Sequence, residues 1–459
     1  MKTNFLYLYC KITILNKKGG FHFKMRISKK YKRLSVLALV LALVVIWFHF
    51  NNDSNQTEAP DEKKASTEHR EKDKAVEEQE EEKVPVTSDM DAAKKVKKLL
   101  ETMTLEEKVG QLMIVGFDGT EKNSHISELV EEKNIGGVIY FDRNMSSPKQ
   151  VAELSNSLQQ STGNSSTQLP LMLAVDQEGG DIVRMREQVS PIPSQQKLGN
   201  YATPEQVYEV AKLNGAELES MGIHINFAPV LDLSTTDSRS FGKNPEKVYQ
   251  YGGKAIQGLN DSSITGALKH FPGNGRSNID PHVETSSVES TQLDLENSDI
   301  YPFTRIIKEM DNQKFFVMVT HIKYPAYDQE KPASLSHAII EDLLREKLGY
   351  KGIVITDDLE MGAVNKYFSY KDMGKEALLA GADILLVCHQ YENQLEVYNG
   401  IIEAVQKGEI PMERIDEAVE RVLTYKLNAI HGTVVDPEQA EKVVKSAEHV
   451  NYIRNLQLN

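Results

Sequence analysis

Residues 269–282 read Lys-His-Phe-Pro-Gly-Asn-Gly-Arg-Ser-Asn-Ile-Asp-Pro-His. Two cationic or polar groups, Lys269 and His270, open the stretch. An acid and an imidazole two residues apart, Asp280 and His282, close it. In extended backbone, residues i and i+2 point the same way, and Pro281 biases Asp280 toward that conformation. A carboxylate beside an imidazole makes a proton donor suited to neutral pH. An isolated Asp-x-His is more often loop decoration, so the weight falls on the chemistry placed elsewhere. Asp357 and Asp358 end the apolar run 352–356. A carboxylate there can attack an electrophilic carbon. Neighbouring acids face opposite ways, so Asp357 is read as facing a pocket and Asp358 as capping the next segment. Asp176, in Val-Asp-Gln-Glu-Gly-Gly, can accept two ligand hydroxyls. Arg184 and Arg239 can clamp ligand oxygens. Glu178 carries no reading beyond loop hydrogen bonding.

These residues need a frame. Eight short apolar runs cover 112–115, 137–141, 171–175, 225–230, 265–268, 315–319, 352–355 and 384–387. Helical patterns separate most of them: 204–221 after Thr203, 245–259 after Asn244, 337–348 after Ser336, and 415–430, stopping near Gly432. Thr104 with Glu107 forms a capping box ahead of the first run. Strands that are apolar throughout and alternate with helices predict a parallel sheet buried on both faces. Eight of them predict an α/β fold of the (β/α)8 TIM-barrel type, with an open doubly wound sheet as the alternative. In such a barrel, functional residues belong at the C-terminal strand ends. The runs are followed by Asp142, Asp176, Asp232, Lys269-His270, His321, Asp357-Asp358 and His389, as that architecture requires.

The remainder of the 459 residues divides by composition. Residues 1–50 contain no Asp or Glu, and a basic stretch within 1–33 precedes the apolar segment 34–50. That pattern predicts a cytoplasmic basic end followed by a signal anchor or a signal peptide. Residues 51–90 hold 13 acids against 6 bases and read as a disordered acidic linker. The net charge of −14 and the lack of a basic patch argue against nucleic acid as a partner. The barrel domain is expected over 91–432, with a polar tail over 433–459. The two cysteines, Cys10 and Cys388, lie on either side of the apolar segment and predict no disulfide. No ligand spacing for a metal and no dinucleotide loop appears, so no metal or other cofactor is expected.

Three motifs in chain order, Val175-Asp-Gln-Glu-Gly-Gly, Lys269-His-Phe-Pro-Gly-x-Gly with Asp280-x-His282, and Ile355-Thr-Asp-Asp-Leu-Glu-Met-Gly-Ala363, resemble glycoside hydrolase family 3 over about residues 95–430. The branch is that of the bacterial β-N-acetylglucosaminidases. The resemblance implies a retaining mechanism on terminal β-linked N-acetylglucosamine, with Asp357 as nucleophile and His282, partnered by Asp280, as acid/base. Asp176, Arg184, Arg239, Lys269 and His270 match the sugar-binding set. Asn274, Arg276 and Pro281 stand where the family usually has His, Asp and Ser. With the export signal, the resemblance implies cell-wall fragments as substrate, at the outer face of a bacterial membrane or in the wall. A phosphorylase, or an inactive sugar-binding surface protein, are the other readings.

Overall fold

The structure, a computed structural model, describes residues 12–17, 20–25, 92–277, 286–431 and 434–458. The apolar segment 34–50 and the acidic linker lie outside the described residues. So do Asp280 and His282. Among the described residues, no helix is long and apolar enough to cross a membrane. Near the N-terminus, Ile12–Lys17 and Gly20–Met25 pair as a two-stranded antiparallel sheet.

The remaining strands close into an eight-stranded parallel barrel. In chain order they are β1 (Met113–Val115), β2 (Gly137–Tyr140), β3 (Met172–Val175), β4 (Ile225–Asn226), β5 (Thr265–Phe271), β6 (Phe315–Val319), β7 (Val354–Asp358) and β8 (Ile384–Val387). Strands β8 and β1 close the ring, with Leu385 opposite Met113 and Val387 opposite Val115. Every residue of β1, β2, β3 and β8 is buried, which is why these strands read as unbroken apolar runs rather than alternating ones. The barrel predicted from the eight runs is present and closed, not an open sheet.

Local chemistry places the surrounding helices. Thr104 and Glu107 exchange the two hydrogen bonds of a capping box. Thr203 caps Pro204–Ser220 and Asn244 caps Pro245–Asn260, each with proline in the first turn. Ser336 does not cap the next helix. Its hydroxyl donates to Asp328 at 2.7 Å, and Ala338–Lys347 begins uncapped and winds as a wide π-helix. Strand β4 is shorter than its apolar run: the Ala228 N–H turns back to the Asn226 carbonyl at 2.7 Å, and Pro229 has no N–H to give the ladder. Val230 returns as a single bridge to Lys269.

The polar C-terminal segment is helical. Helices Pro437–Val443 and Ala447–Asn455 follow the helix Met412–Ala429, and they bury Ala440, Val444 and Ile453. Asn156 fixes the backbone of Val435 by two hydrogen bonds of 2.9 Å.

Candidate active site

The C-terminal strand ends converge as the barrel requires. Strand β5 runs three residues beyond its apolar core, so Lys269 and His270 sit within the strand, fully buried. Two buried polar groups need partners. Lys269 Nζ lies 2.7 Å from Asp176 at the end of β3 and 2.6 Å from Glu178 two residues on. Glu178 in turn accepts both arms of Arg239, from Nε at 2.7 Å and Nη2 at 2.8 Å. One buried carboxylate therefore joins two cations. Burial alone would raise the Glu178 carboxyl, but Lys269 and then Arg239 outweigh it and bring its pKa down to about 2. The same contacts, Asp176 first, hold the Lys269 ammonium above its ordinary value against the opposing effect of burial.

Arg184 is held more loosely. Its guanidinium lies 3.6 Å from Asp176 and 3.5 Å from Asp142, and it rests over the Phe141 ring at 5.2 Å. Its Nε has no hydrogen-bond partner. Gln177 fixes its backbone by accepting the Arg184 N–H at 2.7 Å. A loosely held guanidinium keeps donors available for ligand oxygens.

His270 is fixed from behind. Asp232 Oδ2 lies 2.7 Å from its Nδ1, which must carry the proton to face a carboxylate. Oδ1 of the same Asp232 accepts the backbone N–H groups of His270 at 3.2 Å and Asn274 at 2.7 Å. His270 Nε2 is left facing Arg239, 3.5 Å from Nη2.

Asp357 closes the ring from β7. Burial pushes its carboxyl upward, but His270, His321, the N–H of Asp358 and Lys269 together hold it below the ordinary range. Its Oδ1 accepts the Asp358 N–H at 2.9 Å. His321 is fully buried, with Nε2 2.9 Å from the Asp358 carbonyl and Nδ1 2.7 Å from Ser334. A carbonyl only accepts, so Nε2 carries the proton and Nδ1 accepts from the hydroxyl. Burial, the largest influence, favours this neutral form. Asp358 has a different surrounding. Its Oδ1 accepts N–H groups from Glu360 and Cys388, and its Oδ2 pairs with His389 at 3.2 Å.

Contacts at the C-terminal strand ends thus link Asp176, Arg184, Arg239, Lys269 and His270, and Asp357 lies near enough to feel His270 and Lys269. The structure adds Glu178, Asp232 and His321, which had been given no role. Arg276, where the family usually has Asp, turns to Asp299 at 2.7 Å and Asp294 at 2.8 Å.

The description "Glycosyl hydrolase family 3 N terminal domain" matches residues 104–425, most of the chain and all of the barrel. The chain belongs to glycosyl hydrolase family 3. This family 3 chain is 32% identical over 328 residues to Beta-hexosaminidase A of Pseudoalteromonas piscicida, a match covering 66% of this chain and 54% of that one. It is therefore matched to about half the length of that relative. It is 34% identical over 278 residues to Beta-hexosaminidase of Nitrosomonas eutropha, covering 58% and 77%. A glycoside hydrolase family 3 beta-N-acetylglucosaminidase from Paenibacillus superposes with a TM-score of 0.71 at 34% identity, over 77% of this chain and 68% of that one. LpqI of M tuberculosis does so with a TM-score of 0.65 at 30% identity, over 73% and 96%.

Proposed function

We propose that the chain is a retaining exo-β-N-acetylglucosaminidase acting on terminal β-linked N-acetylglucosamine of cell-wall fragments. The named relatives and solved structures support the sugar. The N-terminal apolar segment supports an extracytoplasmic location, tethered to the membrane or released from it. Asp357 is the nucleophile, and the observation that carries this is its position. It lies near the end of β7, where His270, the Asp358 N–H and Lys269 favour the ionised carboxylate. A retaining glycosidase needs such an anion below the sugar carbon and a proton donor at the leaving oxygen. Asp176, Lys269, His270, Arg184 and Arg239 hold the sugar hydroxyls, and the buried network keeps them in place before substrate arrives. His282 with Asp280 supplies the proton and then takes one from water. A neutral imidazole suits both steps near pH 7.

The test is hydrolysis of an aryl β-N-acetylglucosaminide. Asp357→Ala should fold normally and lose several orders of magnitude in turnover. A fluoro-sugar trap should label Asp357. Labelling at Asp358, or a variant retaining a tenth of the rate, removes Asp357 from the mechanism.

A further inference from the structure

The loop that follows β3, residues 176–193, carries Asp176, Glu178 and Arg184 of the candidate site. It is built of turns and a single bridge, Gly179 to Ile182, so what fixes it must come from elsewhere. The helix Pro204–Ser220 holds it at both ends. Asn214 Nδ2 donates to the Gln177 carbonyl at 2.9 Å. One turn on, Glu217 Oε2 accepts the Ser190 N–H at 3.1 Å, and Oε1 accepts the Ser190 hydroxyl at 2.5 Å. Between these anchors the loop folds on itself. The Gly180 N–H donates to the Ile192 carbonyl at 3.0 Å. A Cβ on Gly179 would stand 2.3 Å from the Pro193 carbonyl oxygen. In contacts this close, a shift at Ser190 is passed to the residues beside Glu178.

Glu217 is also held from a third direction. Its side chain is 2% exposed, and a buried carboxylate must be met by donors. Two of them come from the C-terminal segment: the Lys445 N–H at 2.9 Å and His449 Nδ1 at 2.9 Å. Facing a carboxylate, that nitrogen carries the proton. Lys445 holds a left-handed backbone with a φ of 53°, which a residue with a Cβ keeps only where its surroundings fix it. Its Nζ donates to the Glu187 carbonyl at 2.6 Å, a second grip on the same loop. The family match ends at residue 425, so Lys445 and His449 lie beyond it.

We propose that Glu217 is a positioning residue for the candidate site: through Ser190 it makes the C-terminal helices part of what holds Asp176, Glu178 and Arg184 in place. It rests on the glycosidase reading above only for what those three residues bind. Glu217 touches no substrate. The loop grips the sugar before and during reaction, whereas Asp357 stands on β7. Loosening the loop should therefore raise KM and leave kcat nearly unchanged.

The test is hydrolysis of an aryl β-N-acetylglucosaminide by the full chain. Glu217→Gln, which replaces one acceptor oxygen with an NH2 group, should raise KM about 10-fold with kcat held within about twofold. His449→Ala leaves the carboxylate in place and should raise KM about threefold, while His449→Asn keeps an N–H donor and should restore it. A KM unchanged in His449→Ala, whatever the melting temperature does, leaves Glu217 a stabilising residue only and overturns the proposal. So does an asparagine variant no better than alanine. Amide hydrogen exchange separates this outcome from a failure of the glycosidase reading. Residues 178–193 should exchange faster in His449→Ala than in the wild type, with β7 unchanged. A wild-type chain that cleaves no glycoside sinks the glycosidase reading, and exchange then decides alone: faster exchange in the loop upholds the positioning role, and unchanged exchange there overturns it.

Discussion

Glu178→Gln tests the buried charge network most directly. The side chain of Glu178 is 1% exposed and that of Lys269 3%. Glutamine keeps the shape but carries one acceptor oxygen and one NH2 group. Three donors converge on Glu178: Lys269 Nζ and both arms of Arg239. At least one of them must then meet an N–H instead of an oxygen. Two routes give the cost. Breaking a buried ion pair by removing one partner costs about 3–5 kcal/mol. The carboxyl itself falls from 4.5 in an open chain to about 2 in the fold, which at neutral pH is worth about 3 kcal/mol. The routes agree, and for a domain of this size they correspond to a melting temperature lowered by roughly 6–15 °C. The sign with pH follows. A carboxyl depressed by folding stabilises fully above its open-chain value and loses that contribution as pH falls toward about 2. The gap between wild type and variant should therefore be constant above about pH 5 and narrow below it. Thermal melts from pH 3 to 8, with KM for the aryl glycoside at pH 7, measure both effects. A shift under 2 °C at pH 7 with unchanged KM would refute the view that Glu178 holds the two cations.

Two further predictions use other buried groups. Asp232→Asn keeps an acceptor for the two backbone N–H groups but turns an NH2 toward His270 Nδ1, reversing the tautomer. By analogy with residues that orient metal-bound histidines, kcat/KM should fall about 10- to 100-fold, mainly through KM and with a small change in melting temperature; a loss under threefold would free His270 from Asp232. Lys426 is fully buried, bonds Gln111 at 2.6 Å, and is lowered by burial from 10.5 to about 7. The open chain therefore binds a proton that the fold releases, and stability should climb with pH between those values. Lys426→Met should be more stable by about 1–3 kcal/mol at pH 7, with the difference shrinking toward pH 10. Denaturant titrations that show no difference at either pH would count against it.

The barrel was legible because its strands are buried on both faces, which writes each as an unbroken apolar run. The strand-end residues followed from the same geometry. What stayed hidden were partners set by distance in space. Asp232 lies 38 residues from His270, and nothing local in Asp232 announces an imidazole behind it. Glu178 sits in a Gly-rich loop whose fold back beneath Lys269 depends on the positive φ of Gly179 and Gly180. A usable signal did exist: Lys269 and Arg239, both assigned to one pocket, require a shared counter-charge. The helix after Ser336 was misjudged at its start because Asp328 competes for the capping hydroxyl. The C-terminal helices were read as a tail because their few apolar residues, Ala440, Val444 and Ile453, are too sparse to show a core face. Their docking rests largely on Glu217 and Asn156.

The charges of the pocket have a consequence for which nucleophile completes the reaction. Five carboxylates, Asp142, Asp176, Glu178, Asp232 and Asp357, stand among three cations, Lys269, Arg184 and Arg239. With the imidazoles set aside, negative charge is in excess. A sugar carbon that becomes cationic as the bond breaks is met by that excess. The next arrival meets it too. Water enters without electrostatic cost, whereas inorganic phosphate must approach against it. The imidazole proposed as proton shuttle would remove one source of that repulsion, but the surplus acid restores it. The surplus acid around these strand ends thus stands against an anionic acceptor and leaves water unopposed.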